Sequence, residues 1–261
     1  MISRPRFISD KSLSKGRREQ MMDARFLRNE MLWGKEGQAR LARAHVILFG
    51  LGGVGSYVAE CLARSGIGEL TLVDGDTVAL SNLNRQLEAL SSTIGLPKAE
   101  AVARRIAEIN PEAVLHPMQA LYNADNRALF FPEGCHYDYI VDAIDLVSCK
   151  LDLAETARRL HIPLIMALGT GNKLDPSLLR LADISETYGC PLARVMRKEL
   201  RSRGIQHQTV VFSPEEPAPT LQLEAPPPGR RSVPASNPWV PATAGLLMGS
   251  KVVRELISRE G

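Results

Sequence analysis

The chain has 261 residues, of which 44% are hydrophobic and 23% are charged. This is enough apolar material for one large or two small domains around a buried core, and it predicts a soluble globular protein. The formal net charge of +3 is too small to imply a polyanionic partner by itself. The first 40 residues, however, carry ten Lys or Arg against five Asp or Glu, so the basic residues are unevenly distributed.

Neither end of the chain has the pattern of a membrane segment. Charged residues interrupt residues 1–20, which therefore lack an apolar signal core and are predicted to form a basic, disordered arm. Near the C-terminus, Lys251, Arg254 and Glu255 cut an apolar run well short of ~18 residues. We therefore expect neither export nor membrane insertion.

The cysteines are scattered and include no Cys-x-x-Cys pair; they are Cys61, Cys135, Cys149 and Cys190. This pattern predicts no zinc site and no disulfides, and reduced thiols of this number fit a cytoplasmic protein. Cys190, which precedes a proline and a basic helix, is the one candidate for a nucleophile or thioester. An ordinary thiol is the favoured interpretation because no histidine motif accompanies it.

The chain begins its ordered part with a predicted helix over residues 21–36. An apolar strand, His45–Phe49, then runs into a glycine turn and a helical pattern without a break; the glycines are Gly50, Gly52, Gly53 and Gly55. Such a turn lets the backbone approach a phosphate at the N-terminus of a helix. The second strand, Glu69–Val73, ends at Asp74, where a carboxylate can accept both hydroxyls of a ribose. This unit predicts a nucleotide site.

The glycine pattern alone does not identify the nucleotide, because it also fits NAD and FAD. Two basic residues, Arg85 and Lys98, follow in the next segment. An arginine can hold a phosphate with two parallel hydrogen bonds, and a lysine acts on one as a point charge. Hydride transfer needs neither group, so the pair favours the polyphosphate of ATP.

Further alternation of helices and strands predicts the fold class. A helix over residues 98–109, a strand over 114–118 and a strand over 137–141 indicate an α/β, Rossmann-like, doubly wound and mostly parallel sheet with helices on both faces. The last of these strands is followed by Asp142 and Asp145. Carboxylates at this edge of a parallel sheet can bind Mg²⁺.

The remaining sequence predicts a C-terminal extension packed on the nucleotide-binding domain, with domain boundaries at 21–175 and 176–261. A helix over 148–160 and a strand over 163–168 complete the predicted nucleotide-binding domain. The extension is predicted to contain strands over 178–184 and 207–212, a basic helix over 191–204, a proline-rich loop over 214–241 and a closing helix over 242–259. The turn at residues 169–173 either binds an anion or only reverses the chain. Together with the basic arm, the basic helix could follow an RNA backbone, whereas 5% aromatic content does not support base stacking as the main mode.

Five motifs in order resemble the E1-like (ThiF/MoeB/HesA) family of ATP-dependent carboxylate-adenylating proteins. They are Gly-x-Gly-Gly-x-Gly, Asp74-Gly-Asp76, Ser81-Asn82-Leu-Asn84-Arg85-Gln86, Lys98 and Val141-Asp-Ala-Ile-Asp145. The resemblance covers about residues 20–175. It implies that the four glycines and the residues named in the next three motifs contact ATP. It also implies that Asp145 carries Mg²⁺ and that Asp142 supports it or caps a helix.

The segment Arg25-Phe26-Leu27-Arg28 resembles the Arg-aromatic-x-Arg motif that precedes the nucleotide domain in this family. There the second arginine reaches into the ATP site of the partner subunit. The resemblance therefore implies a homodimer and a catalytic set of Asp145, Arg85, Lys98 and Arg28, with Arg25 as the alternative to Arg28.

Later motifs, such as Ile109-Asn-Pro-Glu112 and Cys190-Pro-Leu-Ala-Arg194, resemble the tRNA threonylcarbamoyladenosine dehydratase (CsdL/TcdA) branch. That branch activates the threonylcarbamoyl carboxylate on a tRNA adenosine and closes a ring; a cysteine desulfurase or sulfur-acceptor protein would be a further partner. An adenylyltransferase for a ubiquitin-like sulfur carrier is the alternative, disfavoured by the missing cysteine cluster. An idle nucleotide-binding module or NAD enzyme is disfavoured by Arg85, Lys98 and Asp145.

Overall fold

A seven-stranded sheet forms the centre of the protein. The computed structural model describes residues 15–223, 225 and 233–258, with side chains from residue 24 onward. The strands are β1 (His45–Phe49), β2 (Glu69–Val73), β3 (Val114–Met118), β4 (Tyr139–Asp142), β5 (Leu164–Ala167), β6 (Arg180–Asp183) and β7 (Thr209–Phe212). Their order is β3-β2-β1-β4-β5-β7-β6, and only β6 is antiparallel to its neighbour. The predicted doubly wound, mostly parallel sheet is confirmed.

Helices cover both faces of this sheet. They are α1 (Lys15–Arg43), α2 (Gly55–Ser65), α3 (Lys98–Ile109), α4 (Arg127–Phe130), α5 (Val147–Leu160), α6 (Pro191–Ser202) and α7 (Val240–Ser258). Because side chains alternate along a strand, β1 sends Val46 and Leu48 into one apolar cluster and Ile47 and Phe49 into the other. The first cluster includes residues of α2, α3 and α7, and the second includes residues of α5 and α6.

The N-terminal helix differs most from its prediction. It extends from Lys15 to Arg43 rather than over residues 21–36, so residues 15–20 of the predicted arm are helical. Gly34 has φ 74° and ψ 169° inside this helix, which is a kink. A glycine tolerates this conformation, and the kink interrupts the regular helical pattern two residues before the predicted end at residue 36. Residues 1–14 of the predicted arm lie outside the described residues.

The C-terminal part of the chain completes the sheet. Strands β6 and β7, from the predicted extension, pair with each other, and β7 also pairs with β5. The proline-rich segment forms neither helix nor strand where the structure describes it before α7, at residues 214–223 and 233–239. The closing helix begins at Val240, two residues earlier than predicted, and packs mainly on α2. No helix in the described ranges has the length and apolar character needed to cross a membrane.

Candidate nucleotide-binding site

Three parts of the predicted site lie at the C-terminal ends of neighbouring strands: the glycine turn follows β1, Asp74 follows β2, and Asp142 and Asp145 lie at the end of β4. Strands β2 and β3 lie on one side of β1, whereas β4 and β5 lie on the other. The point between β1 and β4 is therefore the position where the winding of the sheet reverses, and open α/β sheets bind ligands there.

The glycine turn after β1 has two kinds of glycine. Gly50 has φ 85°, and a Cβ there would lie 2.7 Å from the carbonyl oxygen of Ala143; a Cβ on Gly55 would lie 1.7 Å from the oxygen of Gly50. Packing inside the protein therefore requires these two glycines. Gly52 is different, because the nearest atom to a Cβ there is Gln86 Nε2 at 3.5 Å, an ordinary contact.

The amide groups of this turn are available to an anion. Within the described part of the chain, no acceptor takes the amide hydrogens of Gly52, Gly53 or Val54. These amides precede α2, whose N-terminus adds a partial positive charge. The protein itself leaves room beside Gly52, so the close approach of a ligand phosphate to this glycine is compatible with the structure and stays a prediction.

Asp74 stabilises the turn directly. Its Oδ2 accepts a hydrogen bond from the amide of Leu51 at 2.7 Å, and its Oδ1 accepts one from the amide of Asp76 at 2.9 Å. Each carboxylate oxygen has a second lone pair. Asp74 can therefore hold the turn and still accept ribose hydroxyls, which stays a prediction.

The Ser81–Gln86 segment begins inside a short 3₁₀ helix, Leu80–Asn82, and continues as a turn that positions Arg85. Its Nη1 donates to the carbonyl oxygen of Ser81 and to Oδ1 of Asn84, both at 2.8 Å. Asn84 Nδ2 in turn donates to the carbonyl oxygen of Ser236. Asn82 is buried, and its Oδ1 accepts from the amide of Ala79. The conformation of the turn thus depends on Asn82, while the stem of Arg85 lies against Gly53.

Lys98 is the first residue of α3 and is only 6% exposed. Its Nζ lies 3.0 Å from Oδ2 of Asp76, and its amide donates to the carbonyl oxygen of Asp76. The nucleotide contact of Asp76 stays a prediction; in this structure its side chain forms an ion pair with Lys98. The ion pair with Asp76 therefore holds the Lys98 ammonium beside the C-terminal end of β2, and no bound ligand is needed to fix its position.

Asp142 and Asp145 have different surroundings at the end of β4. Asp142 is completely buried, with Oδ2 3.1 Å from Nζ of Lys150 and Oδ1 accepting from the amide of Ile144. Its burial raises the pKa of the Asp142 carboxyl against the opposing effect of Lys150. The helix-capping alternative is wrong, because α5 has Leu146 at its N-cap. Asp145 is exposed.

Arg28 is not brought to the glycine turn of its own subunit. It is exposed on α1, where Asn29 donates to the carbonyl oxygen of Arg64 and Phe26 packs beside Gly66. Both contacts are at the C-terminal end of α2, about 15 Å along the helix from its N-terminus. The structure thus brings the glycine turn, Asp74, Arg85 and Lys98 together. Arg28 of the same subunit lies apart from them, near the C-terminal end of α2.

The glycine turn, the ordered Arg85 and the Asp76–Lys98 pair occur in the same order along the chain as in the family that the sequence resembles. The family model described as "ThiF family" matches residues 26–259. The chain belongs to the ThiF family. Both the predicted family and the predicted fold class are confirmed.

Individual members of the ThiF family are similar over much of the chain. The tRNA threonylcarbamoyladenosine dehydratase of Bacillus subtilis is 42% identical over 241 residues, which cover 89% of this chain and 94% of the relative. The structure of the Escherichia coli tRNA N6-threonylcarbamoyladenosine dehydratase TcdA in complex with ATP has a TM-score of 0.80 and 34% identity, and the match covers 97% of both chains. The molybdopterin-synthase adenylyltransferase of E. coli is 35% identical over 155 residues, 59% of this chain and 61% of that protein.

Sequence reasoning missed Glu88, which lies in the same loop of this ThiF-family site. Glu88 is 2% exposed, and neither carboxylate oxygen has a hydrogen-bond partner among the described residues. Burial raises its pKa to about 7; Lys98 lowers the pKa and Asp74 raises it. A glutamate between the apolar residues Leu87 and Ala89, three positions after Arg85, was the available signal.

Glu88→Gln is expected to remove a pH-dependent loss of stability. The folded-state pKa of about 7 lies above the ordinary value of 4.5, so the folded protein binds the proton more tightly and loses stability as pH rises between these values. The variant lacks this loss. At about pH 8 we therefore expect its free energy of unfolding to exceed that of the wild type by about 3 kcal/mol, whereas at about pH 5 the two should differ by less than about 1 kcal/mol. Urea unfolding at both pH values measures this; the same difference at both would contradict it.

Cys190 and the turn at residues 169–173 both have structural roles in the C-terminal part of the chain. Cys190 is buried at the N-cap of α6, where its Sγ accepts from the amide of Ala193, so the ordinary-thiol interpretation fits and an accessible nucleophile does not. The turn at residues 169–173 anchors the proline-rich segment, since Asn172 exchanges hydrogen bonds with Ala235. The chain-reversal reading of this turn fits that contact.

Proposed function

We propose that this chain is an ATP-dependent tRNA threonylcarbamoyladenosine dehydratase that activates the threonylcarbamoyl carboxylate as an acyl-adenylate for ring closure. The observation that carries the proposal is the 42% identity to the B. subtilis protein of that name over 94% of its length. The match to the ATP complex of E. coli TcdA over 97% of both chains supports ATP as the nucleotide.

The geometry supports a division of work among the site residues. The free amides before α2, the Arg85 guanidinium and the Lys98 ammonium surround the phosphates, and Asp74 holds the ribose. The substrate carboxylate oxygen forms a bond to the α-phosphorus, and the bond from that phosphorus to the bridging oxygen breaks, releasing pyrophosphate. A nucleophile within the same substrate then attacks the acyl carbon and AMP leaves. These steps need positioning and charge stabilisation, and they need no protein nucleophile.

Mg²⁺ fits the residues at the end of β4. An exposed carboxylate is the kind of oxygen ligand that Mg²⁺ takes together with phosphate oxygens, and Asp145 offers one at the surface, whereas Asp142 is completely buried. A bound Mg²⁺ would neutralise charge on the polyphosphate. We therefore propose Asp145 as its protein ligand.

One assay separates this proposal from the alternative activities. ATP is offered with tRNA that carries threonylcarbamoyladenosine, with the same tRNA lacking the modification, or with a carrier protein that ends in Gly-Gly. We expect pyrophosphate release with the modified tRNA alone and a product lighter by one water. Turnover with the carrier instead would support the sulfur-carrier adenylyltransferase, and no turnover with any substrate would contradict both enzymatic proposals.

The basic helix α6 supports a tRNA-binding surface, but fewer of its cations are available to tRNA than its composition suggests. Arg197 donates to Thr187, and Arg203 pairs with Glu199, so both guanidinium groups already have partners within the protein. The exposed cations on one stripe of the helix, at spacings of four and three residues, are Arg194, Lys198 and Arg201. Such a stripe can follow phosphates without reading bases.

Changing Arg194, Lys198 and Arg201 together to Gln is expected to weaken tRNA binding by ~10-fold and to lower the salt slope of log Kd by about 2 to 3. Filter binding at several salt concentrations measures both quantities. The matched control changes Lys35, Arg43 and Arg159, which are also exposed, to Gln. An equal loss in the control would mean that net charge, rather than this stripe, accounts for binding.

The N-terminal helix supports a homodimer with shared sites. Beside Arg28, α1 exposes three large apolar side chains, Leu27, Met31 and Leu32. Exposed apolar groups clustered on one helix favour association. We propose that this surface meets a second copy and that Arg28 serves the partner's nucleotide site. A cytoplasmic location, expected from the reduced cysteines, and a sulfur-handling partner protein, implied by the resemblance, both stay predictions.

Mixing inactive subunits tests the shared site. Assayed separately, the Arg28→Ala and Asp145→Ala variants are both expected to be inactive in ATP turnover. In a mixed dimer, one site would have Asp145 from one subunit and Arg28 from the other, so refolding an equal mixture should restore about a quarter of wild-type activity. Activity that stays at the level of the separate variants would place Arg28 outside the partner's site.

A further inference from the structure

A second cluster of chemically active side chains lies at the other end of the sheet. His45 begins β1 and Glu69 begins β2, and the two residues pair directly in register. His116 lies on the adjacent edge strand β3, opposite Thr71 and therefore on the same face of the sheet as Glu69. One potential ligand atom from each of the three residues lies within 4.8 Å of the other two.

We propose that His45, Glu69 and His116 form a binding site for a divalent transition-metal ion of the Zn²⁺ class. The distances fit such an ion: Glu69 Oε1 lies 2.8 Å from Nε2 of His116 and 3.5 Å from Nδ1 of His45. Ligands at ~2.1 Å from a tetrahedral zinc ion are roughly 3.4 Å apart, so small side-chain movements suffice.

The orientation of His45 favours metal binding. Its Nδ1 faces Glu69, while its Nε2 lies 2.9 Å from Oγ1 of Thr71, which is buried. In metal sites the ring nitrogen that does not bind the metal is usually held by such a hydrogen bond. The ring of Tyr137 packs edge-on against His45 with the centroids 4.6 Å apart, which further restricts the imidazole.

The cluster is also accessible. The side chains of His45, Glu69 and His116 are 18%, 37% and 47% exposed, so an ion can enter from solvent and take water as its fourth ligand. Two imidazole nitrogens and one carboxylate oxygen suit Zn²⁺, Cu²⁺ or Ni²⁺, whereas Mg²⁺ prefers oxygen ligands alone.

This site is separate from the nucleotide site. His45 is the first residue of β1 and the glycine turn follows the last, so about 13 Å of strand lies between them. An ion bound here would connect the edge strand β3 to β1 and β2, and binding to the folded state alone would stabilise the protein. Sequence spacing could not reveal the cluster, because Glu69 and His116 are 47 residues apart and only strand pairing brings them together.

Zinc titration of the full-length protein tests the proposal. After treatment with EDTA and dialysis, calorimetry with Zn²⁺ alone should show one site per chain, and Zn²⁺ should raise the melting temperature. Co²⁺ should give the visible absorption of a tetrahedral site. His116→Ala and Glu69→Gln should each lower the Zn²⁺ affinity at least ~10-fold and leave ATP binding unchanged.

Two other histidines provide matched controls. His161→Ala and His207→Ala remove exposed imidazoles outside the cluster and should leave Zn²⁺ affinity unchanged. Absence of Zn²⁺ binding to the wild type would overturn the proposal. Binding that is equally strong in His116→Ala and Glu69→Gln would do the same, because it would assign the ion to other ligands.

Discussion

Asp145→Ala is expected to lower ATP-dependent turnover by at least ~100-fold and to weaken its dependence on Mg²⁺. The physical reason is that this exposed carboxylate, at the end of β4, is the proposed protein ligand of the ion that neutralises the polyphosphate. Since Asp145 lies outside both apolar clusters, we expect the free energy of unfolding to change little. Steady-state pyrophosphate release at a series of Mg²⁺ concentrations measures the effect.

Asp142 provides the control for this prediction. Removing its carboxylate leaves the Lys150 ammonium buried without its partner, and breaking such a pair costs about 3 to 5 kcal/mol. Asp142→Ala should therefore lose stability first, whereas Asp145→Ala should lose activity with a normal melting temperature. Wild-type turnover and unchanged Mg²⁺ dependence in Asp145→Ala would remove this residue from the mechanism.

Gly52→Ala is expected to fold normally and to weaken ATP binding by ~30-fold. The new Cβ has room inside the protein, with its nearest neighbour 3.5 Å away at Gln86 Nε2. It would occupy the space beside the free amides of the turn, where the backbone approaches a phosphate. Calorimetric titration with a non-hydrolysable ATP analogue, together with thermal unfolding, separates affinity from stability.

The matched control is Gly50→Ala, which adds the same methyl group two residues earlier in the turn. Gly50 has φ 85°, and its Cβ would lie 2.7 Å from the Ala143 carbonyl oxygen. This variant should therefore lower the melting temperature. If Gly52→Ala binds the analogue as tightly as the wild type, phosphates do not approach the backbone at this turn.

Part of the fold was readable from local patterns. The bounds of β1, β2, β3 and α3 agree with their predictions, because each apolar run ends at a turn residue or a change of period. The kink at Gly34 and the antiparallel pairing of β6 were not predicted. Both depend on contacts made after the chain has folded, which a single segment does not encode.

The site shows the same division. The order of glycines, Arg85 and Lys98 predicted a nucleotide site, since those residue types are few and act through their own chemistry. That Asp76 holds Lys98, and that Lys150 holds Asp142, could not be read from the chain, because nothing in the spacing distinguishes an acid that binds a ligand from one that positions a neighbour.

The amino-acid sequence by itself determined the fold class, the family and the kind of nucleotide site, because these depend on periodicity and on short motifs whose residues are neighbours along the chain. Only the tertiary structure decided which carboxylates are engaged, that Glu88 is buried beside the site and that two histidines meet a glutamate across three strands. Burial and distance arise from the packing of segments far apart in sequence, and they control pKa values, hydrogen bonding and metal binding.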